Sequence, residues 1–373
     1  MKKSLLALAV LGAAAVSAQA ANVNLYGTVD AGFAYKHTHA DKSTNSFKFA
    51  DGLDGSSKVG IKGTEELGNG YSVGFKLENG FKLSNGQMKG EEGKVLFDRE
   101  ARVFVNGAFG ELAAGRIAGL SSAAGSYDVF FANGDAFDGG DKVGTGFAAT
   151  ATYNNALVYK TPTIAGLTGY TTYSFSAEKD QQDKFTQNDR HFGLGLTFEQ
   201  GPGTIALTFE QDYPATRDEQ KAKLADKPNK PYAINLAANC HVADNVKLFM
   251  AGQYSKYNKI DFLGLEMDAV TNITTKQNLA GTIGAQIEEG ANSVMVAAYA
   301  AHLKSADVDA DPDKKIVAQD ADKGNYFSLN ARFTHKLSAR TSIFAGADYG
   351  QLKMKNADKV SATVVYSGLR HNF

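Results

Sequence analysis

The chain has 373 residues, with 39 basic and 40 acidic side chains and a formal charge of −1. This balance gives no reason to expect a nucleic-acid partner. Because Cys240 is the single cysteine, an internal disulfide and a cluster of thiolate metal ligands are excluded. There are six prolines, no tryptophan and 39 glycines. No stretch has the composition of a linker between domains.

The first twenty residues predict a secretory signal peptide. Lys2 and Lys3 precede an apolar run, 5–16, and the small residues that follow it form an A-x-A exit for cleavage. The apolar run is too short to cross a bilayer as a helix. We therefore expect a signal peptide over 1–20 and one mature domain over 21–373.

The rest of the chain shows the alternation of a membrane-spanning β-barrel. No apolar run of eighteen residues follows Val16, so any crossing of a membrane must be made by strands. Apolar residues alternate with small, polar and charged ones in segments of about ten residues, as expected when side chains point in turn to lipid and to the lumen. The sequence predicts an all-β, antiparallel barrel of sixteen strands, at 23–35, 56–66, 71–81, 97–107, 111–117, 151–160, 167–177, 189–199, 203–213, 231–241, 246–257, 277–288, 293–303, 325–337, 341–352 and 360–373.

The connections between these segments alternate in length. The short ones carry turn residues, as in Gly68-Asn69-Gly70. Short periplasmic turns and long outside loops are typical of a barrel that is inserted from one side. The long connections are rich in Lys, Asp, Asn, Gln and Gly, and they cover 36–55, 82–96, 118–150, 178–188, 214–230, 258–276, 304–324 and 353–359.

Four motifs and the last residue follow one another along the chain. They are NLYGTVDAG at 24–32, SKVGIKGTEELGNG at 57–70, LFDREA at 96–101, FGELAAGR at 109–116 and the terminal Phe373. Their order and spacing resemble the general trimeric porins of Gram-negative bacteria, particularly the β-proteobacterial branch. The resemblance implies a homotrimeric outer-membrane channel for passive diffusion of ions and small hydrophilic solutes, with no enzymatic activity and no cofactor. It also implies contact with outer-membrane lipid, with lipopolysaccharide and with the assembly machinery, which reads Phe373 as part of its signal.

In such porins the third outside loop folds into the lumen and narrows it. The corresponding loop here, 118–150, carries Asp128, Asp135, Asp138 and Asp141. Carboxylates fixed opposite cations in a narrow pore set a transverse field that sorts solutes by charge. The resemblance therefore makes Asp135, Asp138 and Asp141 candidates for the acidic side of a constriction. The loop tip, FFANGDAFDGG at 130–140, departs from the Pro-Glu-Phe-Gly type of sequence common in the family, which leaves the filter geometry open.

Basic residues on the neighbouring strands are the candidates for the opposite side. Lys58 and Lys62 share one face of the second strand, and we expect that face to point inward. Arg99 stands where the family has a pore-lining arginine. Glu100 and Arg102 would then face outward, where a basic side chain costs about 2–4 kcal/mol at the midplane of the bilayer. Either these charges pair with charges of a neighbouring subunit across a trimer interface, or the alternation of inward and outward side chains shifts by one residue in this strand.

Arg116 resembles a family arginine that meets an acidic residue of a neighbouring subunit's second loop. Glu91 and Glu92 are the candidates for that acidic residue, so the predicted trimer contact consists of these three side chains. No metal site is expected. The segment that starts at Asp307 begins like a calcium loop, but Pro312 stands where that loop needs glycine.

Two other functions stay open on the sequence alone. Long outside loops are compatible with a surface adhesin or receptor barrel, and a substrate-selective channel would need a ladder of basic or aromatic residues along the lumen. The seven histidines show no grouping with Ser and acidic residues that would indicate catalysis. The preference for anions or cations is left undecided, because acidic loop residues and basic wall residues occur in similar numbers.

Overall fold

The computed structural model describes residues 22–40, 42–90, 95–123, 125–140, 142–177, 185–215, 229–264, 272–305 and 323–373. No helix in these ranges is long and apolar enough to cross a membrane. The helical structure described is one turn, α1 (Phe131–Gly134), and a short 3₁₀ segment (Phe185–Gln187). The strand segments are β1 (Asn22–His39), β2 (Ser43–Asp51), β3 (Lys58–Gly68), β4 (Tyr71–Gly80), β5 (Glu100–Gly107), β6 (Gly110–Ala118), β7 (Thr152–Lys160), β8 (Leu167–Ser174), β9 (Arg190–Gln200), β10 (Gly203–Tyr213), β11 (Tyr232–Ala243), β12 (Val246–Lys256), β13 (Lys259–Asp261), β14 (Asn272–Glu289), β15 (Asn292–Ser305), β16 (Lys323–Lys336), β17 (Thr341–Met354) and β18 (Val360–Asn372).

These segments form a closed antiparallel barrel of sixteen strands, which confirms the predicted fold. Each strand pairs with its neighbours in the chain, and β1 pairs with β18 to close the barrel. Two strands are interrupted. β2 and β3 lie one after the other along β1, and β12 and β13 lie one after the other along β14. Among the described strands, closure leaves no continuous free edge, as a barrel in lipid requires.

The alternation in the sequence becomes an alternation of faces in the barrel. On β9 the side chains of Leu194, Leu196 and Phe198 are exposed on the outer wall, whereas Gly195 and Thr197 between them face inward and are buried. β10, β11 and β16 repeat this arrangement. An apolar outer surface matches the hydrocarbon of a bilayer, and the polar positions are left for the interior.

The first outside loop differs from the prediction. Instead of an irregular loop over 36–55, β1 continues to His39 and β2 returns beside it as a hairpin. The ring of Phe33 stacks on that of Phe47 at 5.7 Å and meets the edge of Phe49 at 5.6 Å. These cross-strand aromatic pairs stabilise the hairpin, which accounts for the longer strand.

After the hairpin, the chain turns into the lumen over 52–57 before β3 begins. The carboxylate of Asp30, which is fully buried on the inner face of β1, accepts hydrogen bonds from the backbone N–H groups of Leu53, Asp54 and Gly55 at 2.7–3.3 Å. One acidic side chain therefore fixes three successive peptide groups of this inward turn.

Candidate pore constriction

The described part of the third outside loop, 119–123, 125–140 and 142–151, lies inside the barrel, and its backbone is bound by side chains of the wall. Gln253 on β12 binds Ala148 twice, accepting from its N–H at 2.7 Å and donating to its carbonyl at 2.9 Å. On β17, Asp348 accepts from the N–H of Lys142 at 2.9 Å. These anchors are buried, so they hold the loop firmly.

An aromatic cluster gives the loop a core of its own. Phe130 packs on Phe131 and Phe147, with ring centroids 4.9 Å and 5.2 Å apart, and Phe147 reaches Tyr299 on β15 at 6.3 Å. The loop therefore packs on the wall formed by β10–β17. It also contacts the opposite wall, where the Ser126 hydroxyl accepts from the Lys76 ammonium at 3.0 Å and donates to Glu100 at 2.8 Å.

Two carboxylates of the loop act as a pair. Asp128 caps α1 by accepting hydrogen bonds from the N–H groups of Phe131 and Ala132 at 3.2 Å and 3.1 Å. Burial in the barrel and the neighbouring Asp138 raise the pKa of Asp128 well above the ordinary value. Desolvation within the barrel also raises the pKa of Asp138, although its side chain is exposed at the surface of the loop, and the positive charge of Lys58 on the opposite wall lowers that pKa.

Asp135 is buried within the loop. Its side chain accepts hydrogen bonds from the Tyr299 hydroxyl at 2.5 Å and from the N–H groups of Phe137 and Gly139 at 3.1 Å and 2.8 Å. Burial raises the pKa of Asp135, against the effect of these donors. The carboxylate is therefore engaged in holding the loop tip. Asp141 lies outside the described residues.

A basic cluster on β3–β5 faces the loop. At its centre Glu78, 1% exposed, lies 3.5 Å from the ammonium of Lys58, 3.6 Å from that of Lys76 and 2.7 Å from Nε of Arg99. The Tyr26 hydroxyl donates to the same carboxylate at 2.9 Å. The acid lies behind the cations, and the cations lie nearer the lumen.

A second buried acid continues the cluster. Glu100 binds Lys76 at 2.6 Å and Nε of Arg102 at 2.7 Å, and Arg102 reaches Glu111 at 3.1 Å. Glu100 and Arg102 therefore face inward, which corresponds to the second alternative left open by the sequence, a shift in the parity of the strand. The reason is that Arg99 precedes β5, so the alternation of the strand begins one residue later than assumed.

The other predicted site residues lie apart from this cluster. Lys62 lies on the inner side of β3, four residues after Lys58 toward the periplasmic end, with its ammonium 5.2 Å from the centre of the Tyr26 ring. Arg116 donates to the carbonyl of Asp98 at 2.8 Å and to Oδ1 of Asn154 at 2.5 Å. Glu91 and Glu92 lie outside the described residues, so the trimer contact stays a prediction.

The terminal residue completes the barrel seam. Phe373 exchanges two backbone hydrogen bonds with Gly27 at 3.1 Å. Its ring covers Gly27 so closely that a Cβ there would lie 2.4 Å from the ring. The ring is 42% exposed on the outer wall. Its role as an assembly signal stays a prediction.

Sequence reasoning did not single out Lys76 and Glu78 of the basic cluster, nor a further charged group in the lumen, Asp54. Asp54, on the inward turn, binds Arg332 of β16 at 2.7 Å and Arg370 of β18 at 3.2 Å. Nothing in the local sequence shows that this turn folds inward. The signal that could have indicated it was Asp30, a carboxylate on the inner face of β1 that needs hydrogen-bond donors.

Comparison with known proteins gives a consistent result. Residues 7–356 match the family model described as Gram-negative porin. An outer membrane porin protein of Bordetella pertussis is 31% identical, with all of both chains covered. Outer membrane porin protein 32 of Delftia acidovorans is 28% identical, with 99% of this chain and 95% of that protein covered. Among solved structures, an anion-selective porin from Comamonas acidovorans has a TM-score of 0.68 at 21% identity, covering 95% of this chain and all of the other.

Proposed function

The chain belongs to the Gram-negative porin family, and on that premise we propose that Lys58, Arg99 and Asp138 form a constriction that favours anions. The protein is an outer-membrane channel for passive diffusion, as its relatives are named outer membrane porins. Family and fold are those of channels and not of enzymes. Ions and small hydrophilic solutes are the substrates of such a channel.

The observation that carries the anion preference is the unequal exposure of cations and carboxylates on the barrel wall. The side chains of Lys58 and Arg370 are 30% and 34% exposed, whereas the carboxylates of Glu78 and Glu100 are 1% and 2% exposed. Water and permeating ions therefore meet the cations first. On the loop, the exposed carboxylate of Asp138 forms the acidic side of the proposed constriction. A pore wall with outer cations and buried acids attracts anions.

The test is the reversal potential of the refolded protein in a planar bilayer under a salt gradient. We expect the sign of the reversal potential to show a preference for anions. We also expect Lys58→Gln to move this potential toward zero. Lys336→Gln is the matched control, because Lys336 lies at the periplasmic end of β16 and pairs with Glu288 at 3.8 Å. A cation preference of the unmodified protein, or equal shifts in both variants, would contradict the proposed constriction.

The proposed assembly is a homotrimer that contacts lipopolysaccharide and is inserted by the outer-membrane assembly machinery. Family membership supports the trimer, and the exposed terminal ring of Phe373 supports recognition by the machinery. We propose that Arg116 meets Glu91 or Glu92 of a neighbour. Arg116→Ala should lower the temperature at which the trimer dissociates on a native gel, whereas Phe373→Ala should lower the yield of inserted protein. Unchanged dissociation or unchanged yield would refute the respective role.

A further inference from the structure

The outer face of the hairpin formed by β1 and β2 carries two histidines side by side. His37 and His39 lie two residues apart on β1, so their side chains point to the same face of the strand. Tyr35 shares that face and is 42% exposed, which identifies the face as the outer one. We call His37 and His39 the histidine pair. It lies outside the lumen and takes no part in the constriction.

The histidine pair lies on the water side of the membrane interface. Closer to the barrel on the same face, the side chains of Phe33, Tyr35, Phe47 and Phe49 form a patch of exposed aromatic rings. Aromatic side chains of this kind lie at the level of the lipid headgroups. The pair continues β1 beyond this patch toward the tip of the hairpin, at about 3.4 Å per residue. Dissolved ions can therefore reach both imidazoles.

Each imidazole is held through the same nitrogen by a side chain of β2. His37 and Asn45 are direct partners in the ladder, and so are His39 and Ser43. Nδ1 of His37 lies 2.7 Å from Oδ1 of Asn45, and Nδ1 of His39 lies 3.0 Å from Oγ of Ser43. A histidine that binds a metal through one nitrogen usually donates the N–H of the other to such an oxygen, which fixes the tautomer and the orientation of the ring.

The partner of His37 determines which ring nitrogen carries the proton. Oδ1 of Asn45 is an acceptor, and it also accepts from the Tyr35 hydroxyl at 2.8 Å. Nδ1 of His37 is therefore the donor, and in the neutral ring the lone pair is on Nε2. The Ser43 hydroxyl can accept from Nδ1 of His39 in the same way. Within the described ranges neither Nε2 has a hydrogen-bond partner, so both are available as ligands on one face.

The face around the histidine pair does not repel a cation. The other outward side chains of β1 and β2 in this hairpin are uncharged, namely Phe33, Tyr35, Ser43, Asn45, Phe47 and Phe49. Lys36 lies on the opposite face of β1, where its ammonium donates to the carbonyl of Gly264 at 2.8 Å. A metal ion at the histidine pair would therefore meet imidazole nitrogens and water, with no ammonium of the described strands on the same face.

The donor set selects the class of metal. In the described part of the chain, no group of three or more His, Cys, Asp or Glu side chains is placed to hold a metal ion. The histidine pair therefore supplies two nitrogen ligands, and water supplies the others. Imidazole suits Cu²⁺, Ni²⁺ and Zn²⁺, whereas Mg²⁺ and Ca²⁺ take oxygen ligands. Two imidazoles without a carboxylate favour a late first-row divalent ion.

We propose that His37 and His39 bind one late first-row divalent metal ion through their Nε2 atoms, with Cu²⁺ bound more tightly than Ni²⁺ or Zn²⁺. Alternate residues of a strand lie about 7 Å apart along it, and both rings can tilt toward one ion between them. The open positions keep the ion exchangeable, and protons compete with it because the ligands must be neutral. The site was not expected from the sequence, since the pairing of the histidines with Asn45 and Ser43 exists only in the folded hairpin.

The test is a titration of Cu²⁺ into the folded protein in detergent, purified without a polyhistidine tag. We expect one tightly bound ion per chain, with an electron paramagnetic resonance spectrum that shows coupling to two nitrogen ligands. Ser43→Ala removes only the partner of His39 and should weaken binding by about tenfold, as is typical for a residue that orients a ligand. His37→Gln and His39→Gln should each weaken binding further and leave one coupled nitrogen, because a ligand itself is lost.

The matched control is His302→Gln. His302 lies on the outer face of β15, and its Nδ1 is held by Oδ1 of its ladder partner Asn325 at 2.9 Å, just as His37 is held by Asn45. The residues two positions away on the same strand are Ala300 and Lys304, so His302 has no second imidazole beside it. Its loss should leave the tight binding of Cu²⁺ and the coupling to two nitrogens unchanged.

Several results would overturn the proposal. These are equal affinities of His37→Gln and the unmodified protein, equal losses in His37→Gln and His302→Gln, coupling to fewer than two nitrogens in the unmodified protein, and displacement of Cu²⁺ by an equal concentration of Mg²⁺. The single-channel conductance of each variant should match that of the unmodified protein, because the histidine pair lies outside the lumen. The inference does not rest on the proposed constriction, so failure of the ion-preference test would leave the metal-binding result standing.

Discussion

Glu78→Gln tests the arrangement of the constriction most directly. The carboxylate of Glu78 lies within 3.6 Å of three cations, those of Lys58, Lys76 and Arg99. Glutamine has nearly the same shape. Its carbonyl oxygen can replace Oε1 as the acceptor for Nε of Arg99, and its amide NH2 group, in the place of Oε2, can donate to the Tyr26 hydroxyl. The substitution therefore removes one negative charge from behind the cations and replaces one acceptor oxygen by a donor.

The size of the effect follows from the distances. An anion on the lumen side of the Lys58 ammonium lies roughly 7 Å from the former charge, because the acid lies 3.5 Å behind that ammonium, and two unit charges at about 7 Å interact by about 0.6 kcal/mol in water. Loss of this repulsion corresponds to a rise of about threefold in the permeability of anions at low salt. The rise should fall as the salt concentration increases, because the lumen is hydrated and screening shortens the range.

The assay is the reversal potential under a salt gradient, measured at two mean salt concentrations. Glu288→Gln is the control, since Glu288 lies at the periplasmic end of β14 with a side chain that is 49% exposed. A larger anion preference in Glu78→Gln than in the control is expected. An unchanged or reversed preference would show that the cations around Glu78 do not set the field in the pore, and the reasoning from exposure would be refuted.

Three further predictions follow from the loop and from the sequence. Gln253→Leu should leave the N–H and carbonyl of Ala148 without partners, which costs about 1–3 kcal/mol for each group. We expect increased current noise and a lower unfolding temperature, and unchanged current noise would contradict this expectation. Because burial raises the pKa of Asp128 and Asp138, loop stability is fully present below the ordinary carboxyl pKa and falls as the pH rises through the raised values. Asp138→Asn should flatten that fall in thermal unfolding measured from acid to neutral pH, and an unaltered slope would contradict it. The mass of the outer-membrane form should correspond to a chain that begins at Ala21, and any other start would refute the predicted cleavage.

The strands could be predicted because period-two alternation survives in each of them. Because a lipid-facing side chain must be apolar, an apolar residue recurs at every second position of a strand. Leu194, Leu196 and Phe198 show this pattern plainly. The hairpin in the first loop was not predicted, because its alternation is weak compared with that of the strands in lipid. Phe47 and Phe49 alternate too, but they lie in a polar stretch whose composition favours a loop.

The constriction was harder to predict because its geometry depends on contacts far apart in the chain. Glu78 gathers cations from three strand ends, and the parity of Arg102 depends on where β5 begins. Asp54 reaches Arg332 across 278 positions of sequence, and only the folded turn brings them together. Periodicity within one strand carries no information about such pairs.

The wall beneath the third loop has a consequence for how the channel can be altered. Its inward side chains are largely polar, including Asn235, Gln253, Asn278, Ser328 and Asp348, and water can hydrate them if the loop is absent. The aromatic core around Phe130 belongs to the loop and would leave with it. The barrel wall therefore does not depend on the third loop for its packing. Shortening the loop is a way to widen the pore without changing the strands.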